Sequence, residues 1–358
     1  MTKSMLRFAV PIILGDLLQQ CYNIADTVIV GRFLGADALA AVGSSFSLMT
    51  FLTSILLGLA MGSGTVFSIR FGQKDRKALK ECVLASFVLL FAVTVFLTAV
   101  IFAGMFGIFL YNFFAALLRS LGNSVVPLIF LAVSAGLNIG LDLWFVAGLE
   151  WGVAGAAGAT VISQYVSGIG IAVYTRVRFP ELIRKEKGIR LRKERIREIT
   201  GFSALTCLQQ SIMNLGILAV QGLVNSFGTT IMAAFAAAVK IDAFAYLPVQ
   251  DFGNAFSVFV AQNYGAGKKD RIQKGIRSAV KVSAGFGLLI SLLVVIFARP
   301  LMTLFIDARE AAVVALAYGL AAIPSVGVTG IWCSVPIGWF LADALGTGYY
   351  LFWKKKRH

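Results

Sequence analysis

Two carboxylates stand inside runs that are otherwise apolar: Asp26 in "YNIADTVIV" and Asp142 in "AGLNIGLDLWFVAG". Asn138 lies four residues before Asp142, on the same face of a helix. A carboxylate at the centre of a membrane-spanning helix costs roughly 2.5–3.5 kcal/mol on an insertion scale, so it needs a bound proton, a bound cation or a polar partner. Asn112 and Thr160 fall on the adjoining apolar runs. A carboxylate with amide and hydroxyl oxygens suits a hard cation such as Na⁺. The same groups could instead hydrogen-bond one another and hold helices together.

A second set of polar residues interrupts later apolar runs. Gln209, Gln210, Asn214 and Gln221 precede Lys240, Asp242, Gln250 and Asp251, which surround Pro248. Of these, Gln209, Gln210, Lys240, Asp242, Gln250 and Asp251 either line a substrate cavity or gate, or pair between helices beside a proline kink. Asp343, near the end of the last run, is partnered or wet. Other chemistries lack their residues. The single histidine is His358, which leaves almost nothing for zinc sites, Ser-His-Asp triads or histidine relays. Cys21, Cys82, Cys207 and Cys333 are scattered with no CxxC spacing and read as small packing residues. The chain is therefore not expected to be an enzyme.

The elements that must carry these residues are membrane helices. The chain is 58% apolar, with mean hydropathy +0.84, above the roughly 45–50% of soluble domains. Nine crossings are expected at about 8–31, 46–70, 83–105, 125–147, 152–175, 200–226, 231–262, 280–305 and 327–352. The start resembles a signal peptide, but Asp16 interrupts its apolar run, so it reads as an uncleaved first span. The formal charge of +15 does not point to nucleic acid, because the basic residues gather between the apolar runs. "GQKDRKALKE", the segment 175–199 with ten Lys/Arg against four Glu, "GAGKKDRIQKGIRSAVK" and "KKKRH" form one set of connectors. The positive-inside rule places that set and both termini in the cytoplasm.

Two stretches do not fit one crossing each. The uncharged run from Cys82 to Leu118 begins and ends beside basic, inside-type segments, so it should cross twice. About 36 residues of helix span roughly 54 Å, too long for one crossing and short for two. A full span over 83–105 and a stunted return over about 106–119 bring the total to ten. Residues 311–325 are apolar but short, and read as re-entrant or interfacial. The chain also repeats itself. "GQKDR" at 72–76 matches "GKKDR" at 267–271, an offset of 195, and "GVAG" at 152–155 matches "GVTG" at 327–330. Two parallel repeats joined by a basic linker are a transporter signature, with solute sites between the halves.

"VPIILGDLLQQCYNIADTVIVGRFLGADALAAVG" resembles the first span of the multidrug and toxic compound extrusion (MATE) family. "AAFAAAVKIDAFAYLPVQDFGNAFSVFVAQNYGAGKKDR" resembles its eighth, in the style of bacterial, clostridial-type members. "FLYNFFAALLRSLGNSVVPLIF", "LNIGLD" and "GVTGIWCSVPIGWFLAD" are similar to the same family. The resemblance implies an all-α polytopic membrane protein with two pseudo-symmetric lobes, here with about ten spans instead of twelve. The N-terminal lobe would be 1–175 with its fourth span shortened, the cytoplasmic linker 176–198, and the C-terminal lobe 199–358, lacking two helices. The family's cation site matches Asp26, Asn112, Asn138, Asp142 and Thr160. Leu143 stands where many relatives have proline, a change that alters helix geometry more than ligand chemistry.

The implied function is a Na⁺- or H⁺-coupled antiporter in the plasma (inner) membrane that exports small amphipathic or cationic drugs. It would need no cofactor beyond the coupling ion and no nucleic-acid partner, and its surroundings are membrane lipids. A flippase of lipid-linked oligosaccharide, or a shortened remnant that no longer transports, are the alternatives.

Overall fold

The computed structural model describes the backbone of residues 2–100, 105–183, 190–225 and 229–303; side chains are described within these except at 35–51, 96–100, 183, 211–225, 229–245 and 290–303. Among the described residues there are helices and no strands. In chain order they are α1 (Thr2–Gly72), α2 (Arg76–Val100), α3 (Met105–Ser120), α4 (Val125–Asp142), a π-helical turn at Leu143–Gly148, α5 (Gly152–Arg178), α6 (Pro180–Ile183), α7 (Lys193–Asn225), α8 (Thr229–Gly265) and α9 (Lys269–Thr303).

Four described segments are long and apolar enough to cross a membrane: Leu52–Gly72, Arg76–Val95, Val125–Gly148 and Gly152–Arg178. A 16-residue helix, α3, stands where the stunted return is expected. The segments expected at 311–325 and 327–352, with Asp343, lie outside the described residues.

α1 differs from expectation. Residues 32–45, left between the first two expected spans, carry helical backbone, and their alanine-rich part has high helix propensity. A straight helix of 71 residues would be about 105 Å long. Yet Ser4 and Arg70 line one cavity of about 570 Å³, so the chain reverses direction within this element, as two successive spans require.

The turns follow local chemistry. Asp75 caps α2 by accepting the Ala78 N–H at 2.9 Å. Gly122, at φ +89°, ends α3 in a left-handed turn, with the Asn123 N–H reaching the Leu118 carbonyl. Asn123 then accepts the Val126 N–H and opens α4.

The contacts divide the chain into two compact units. One comprises Met1–Leu218 and Ala243–Ser291; the other comprises Ala219–Asp242 and Leu292–His358, whose described backbone is helical. The first unit buries a core of Leu56, Phe67, Leu90, Phe109, Phe113, Leu117 and Ile199. Phe87, Phe91, Phe106, Phe109 and Phe113 pack ring to ring at centroid separations of 5.3–6.3 Å. The outer faces are apolar too: Leu84, Val88, Phe91 and Val95 on α2, Val125, Ile129 and Val133 on α4, and Ile162, Val166, Ile169 and Val173 on α5 are exposed at helical spacing. Stripes of that kind face lipid.

Within this unit, helices approach closely through glycine. A methyl group at Gly58 or Gly62 would stand 2.6 Å from Cys207 Cα or 2.4 Å from Ser203 Cα on α7, so this GxxxG pair is a packing device. Gly72 and Gly265 are tighter: a Cβ on either would meet a backbone carbonyl oxygen at 2.0 Å, that of Gln262 or of Ile69 respectively.

These last two contacts are reciprocal. Gly72 and Gly265 are 193 positions apart, as are Ile69 and Gln262. The turns that follow obey the same offset. Lys74 and Gly267 both adopt positive φ. The Asp75 N–H bonds to the Arg70 carbonyl as the Lys268 N–H bonds to that of Asn263. α2 and α9 begin at Arg76 and Lys269. The structural register of the repeat is thus 193, not the 195 given by "GQKDR" and "GKKDR". Turn geometry and glycine contact set the register, whereas exposed basic residues slide freely along it.

Candidate functional site

Asp142 is the last residue of α4 and is 0% exposed. No hydrogen-bond donor reaches either of its carboxyl oxygens. The Asp26 carboxyl of α1 stands within hydrogen-bonding reach of it, and Asp26 Oδ1 also lacks a donor. Asn138, one turn earlier on α4 and 2% exposed, donates through Nδ2 to Thr160 Oγ1 of α5 at 3.4 Å. Its amide oxygen has no donor. Four acceptor oxygens without donors therefore collect on α1 and α4, beside the Thr160 hydroxyl. Two carboxylates in contact cannot both stay ionised without a positive charge between them, so the cluster fits one proton or one small cation.

The local winding explains how Asp142 comes to lie free. After it the helix widens from i−4 to i−5 bonding, with the Leu149 N–H reaching the Trp144 carbonyl at 2.9 Å. Such π-turns recur at functional sites. Leu143 opens that turn, so the geometric change at this position takes the form of a wider helix.

Asn112 is placed differently. It lies on α3, and its side-chain amide donates to the Ile108 carbonyl of its own helix at 2.9 Å. Among the later polar residues, Gln209 is exposed, Gln210 buried, Gln250 half-buried and Asp251 2% exposed. Asp251 stands beside Asp16 of α1. The side chains of Lys240 and Asp242 lie outside the described residues.

A charged network that the sequence did not single out sits at the basic face. Glu198 of α7 pairs with Arg70 of α1 and, at 3.1 Å, with Arg195. Glu81 of α2, with its side chain 2% exposed, takes Arg195 at 3.4 Å and Arg192 at 3.3 Å. Burial works against the Arg195 charge, but Glu198 and Glu81 outweigh it and raise its pKa above the usual value. The signal was present: Glu81 follows the basic turn directly, and Glu194 and Glu198 interrupt a run of arginines.

Comparison with known proteins places this arrangement. The family model MatE matches residues 11–105 and 206–341. The chain is 26% identical to the probable multidrug resistance protein YoeA of Bacillus subtilis, with 99% of this chain and 95% of that protein covered. It is 25% identical to the multidrug export protein MepA of Staphylococcus saprophyticus, with 88% and 75% covered. The fold matches a multidrug resistance MATE family transporter solved in an outward-facing conformation, at TM-score 0.80 and 24% identity, covering 87% of this chain and 75% of that one. A transporter of the MOP superfamily from Pyrococcus furiosus matches at TM-score 0.80 and 23% identity, with 87% and 76% covered. The alignment with YoeA runs 440 positions against 358 residues here, so at least 82 positions of that alignment have no residue in this chain. The match of the family model to both repeats, together with the MATE-like fold, means that this multi-pass membrane protein belongs to the MatE family.

Proposed function

We propose that the protein is a cation-coupled antiporter, driven by H⁺ or Na⁺, that exports small amphipathic or cationic compounds. It works by alternating access, with both termini cytoplasmic. The observation that carries this reading is the contact between Asp26 and Asp142, with three carboxyl oxygens free of donors. A buried pair of that kind binds a positive charge in one conformation and releases it when water reaches it in another. Binding energy for the ion is thereby converted into a bias between conformations. Names such as multidrug export protein among the relatives support the substrate class.

Asn138 and Thr160 complete the oxygen set in this reading. Asn112 turns its amide N–H back to its own helix and contributes little in the conformation described. Proteoliposomes loaded with a cationic dye test the proposal. The parent should couple dye movement to an imposed proton or Na⁺ gradient, and Asp142→Asn should abolish that dependence. Gradient-driven transport that survives in Asp142→Asn, with protein correctly inserted, would overturn it.

A further inference from the structure

A second pair of carboxyls lies away from Asp26 and Asp142. Asp251 on α8 is 2% exposed, and its Oδ2 has no hydrogen-bond donor. The Asp16 carboxyl on α1 stands within hydrogen-bonding reach of it, as does the side chain of Asn254. Asp16 and Asp26 are ten residues apart on α1, about 15 Å of helix. From α3, Arg119 interacts electrostatically with Asp251 and with Tyr111, which also feels Asp16 and Tyr22. The Arg119 Nε is buried without an acceptor. Tyr111 donates to the Pro127 carbonyl at the start of α4.

The charges do not balance when all are ionised. Two carboxylates and one guanidinium leave a net charge of −1 around the buried Asp251 and half-buried Asp16, and one proton brings it to zero. A metal ion fits less well, because Arg119 already supplies a positive charge and repels it.

The location gives that proton a mechanical consequence. α1 and α8 meet around this pair through Met5, Ala9, Ile12, Phe252 and Ala255, with Ala279 of α9 closing the cluster. Gln262 of α8 donates to the Ser120 carbonyl at 2.7 Å, and Thr2 of α1 meets Ser278 of α9 at 2.5 Å. Losing the shared proton would place two like charges in contact at the centre of this packing and push α1 and α8 apart.

We propose that Asp16 and Asp251 share one proton and form a proton-operated latch between the first helix of one repeat and the second helix of the other. It is distinct from the Asp26–Asp142 pair. With the proton bound, α1, α8 and α9 stay packed; its release favours their separation.

The test is a distance measured in the full-length protein in nanodiscs. Spin labels are placed by Thr2→Cys and Ser278→Cys after the four native cysteines are replaced by serine. The parent should show a short distance at acidic pH that gives way to a longer one as pH rises. Asp251→Asn imitates the protonated acid and should hold the short distance at every pH, and Asp16→Asn should do the same. If Asp251→Asn proves unstable, Asp16→Asn carries the test. Asp142→Asn should keep the transition, which separates this latch from the coupling pair. The proposal is overturned by an absent transition in the parent, by a folded Asp16 or Asp251 variant that keeps it, or by its loss in Asp142→Asn. Restoration of the short distance at alkaline pH by Na⁺ would overturn the proton as the ligand.

Discussion

At the scale of single residues, the chemistry depends on which polar atoms lack partners. Asn138 and Asn112 are both amides in apolar helices, yet one leaves its oxygen without a donor beside a carboxylate while the other bonds back to its own helix. Asp142→Asn and Asn138→Ala should therefore remove a local pH- or Na⁺-dependent change in the fluorescence of Trp144, two residues after Asp142, while leaving the pH-dependent distance between positions 2 and 278. Asn112→Ala should leave its amplitude nearly intact. A loss from Asn112→Ala as large as that from Asp142→Asn would mean that α3 turns toward the pair in another conformation. The sequence offers both asparagines as candidate ligands, but Asn112 stands on the shortened return, where its depth depends on how that run folds.

Between elements, glycine decides how closely helices meet. A Cβ at Gly72 or Gly265 would fall 2.0 Å from a carbonyl oxygen that cannot move without unwinding its helix. Gly72→Ala and Gly265→Ala should each lower stability in detergent by about 1–3 kcal/mol, the usual cost of overpacking, and by similar amounts because the contacts are reciprocal. Gly136→Ala, where nothing lies within 4 Å, should leave the melting temperature unchanged or slightly raised. The charged network adds a second clamp. Glu81→Gln leaves two arginines facing a neutral amide and should cost roughly 1–3 kcal/mol. It should also expose Cys82, now buried, to thiol reagents. Unaltered labelling of Cys82 in that variant would mean that α7 stays seated without the pair.

For the whole molecule, the two basic turns lie together. Lys74 and Arg76 line the same cavity as Lys268 and Arg271, and Gly72 touches α8. Reporter tags at 74–80 and at 268–277 must then appear on one side of the membrane. By the positive-inside rule that side is expected to be the cytoplasm. Opposite locations for the two tags would contradict the fold; a shared periplasmic or extracellular location would contradict only the orientation. Asp307 and Gly327 should both be accessible from outside if 311–325 does not cross.

The amino-acid sequence by itself determined the helical, membrane-spanning class, the family, the internal repeat and a short apolar element at α3. Each follows from local composition and pattern: apolar length, charge between spans, and repeated motifs. It also drew attention to Asp26 and Asp142, because an ionisable group in an apolar run is conspicuous without any fold. The pairing of those two, 116 positions apart, was beyond it, as were the register of 193, the partners of Glu81 and the meeting of Asp16 with Asp251. Each of these depends on which helix faces which. Between membrane helices that choice is made by glycine contacts, ion pairs and packing of near-equivalent apolar faces, whose energies emerge only when distant segments are brought together.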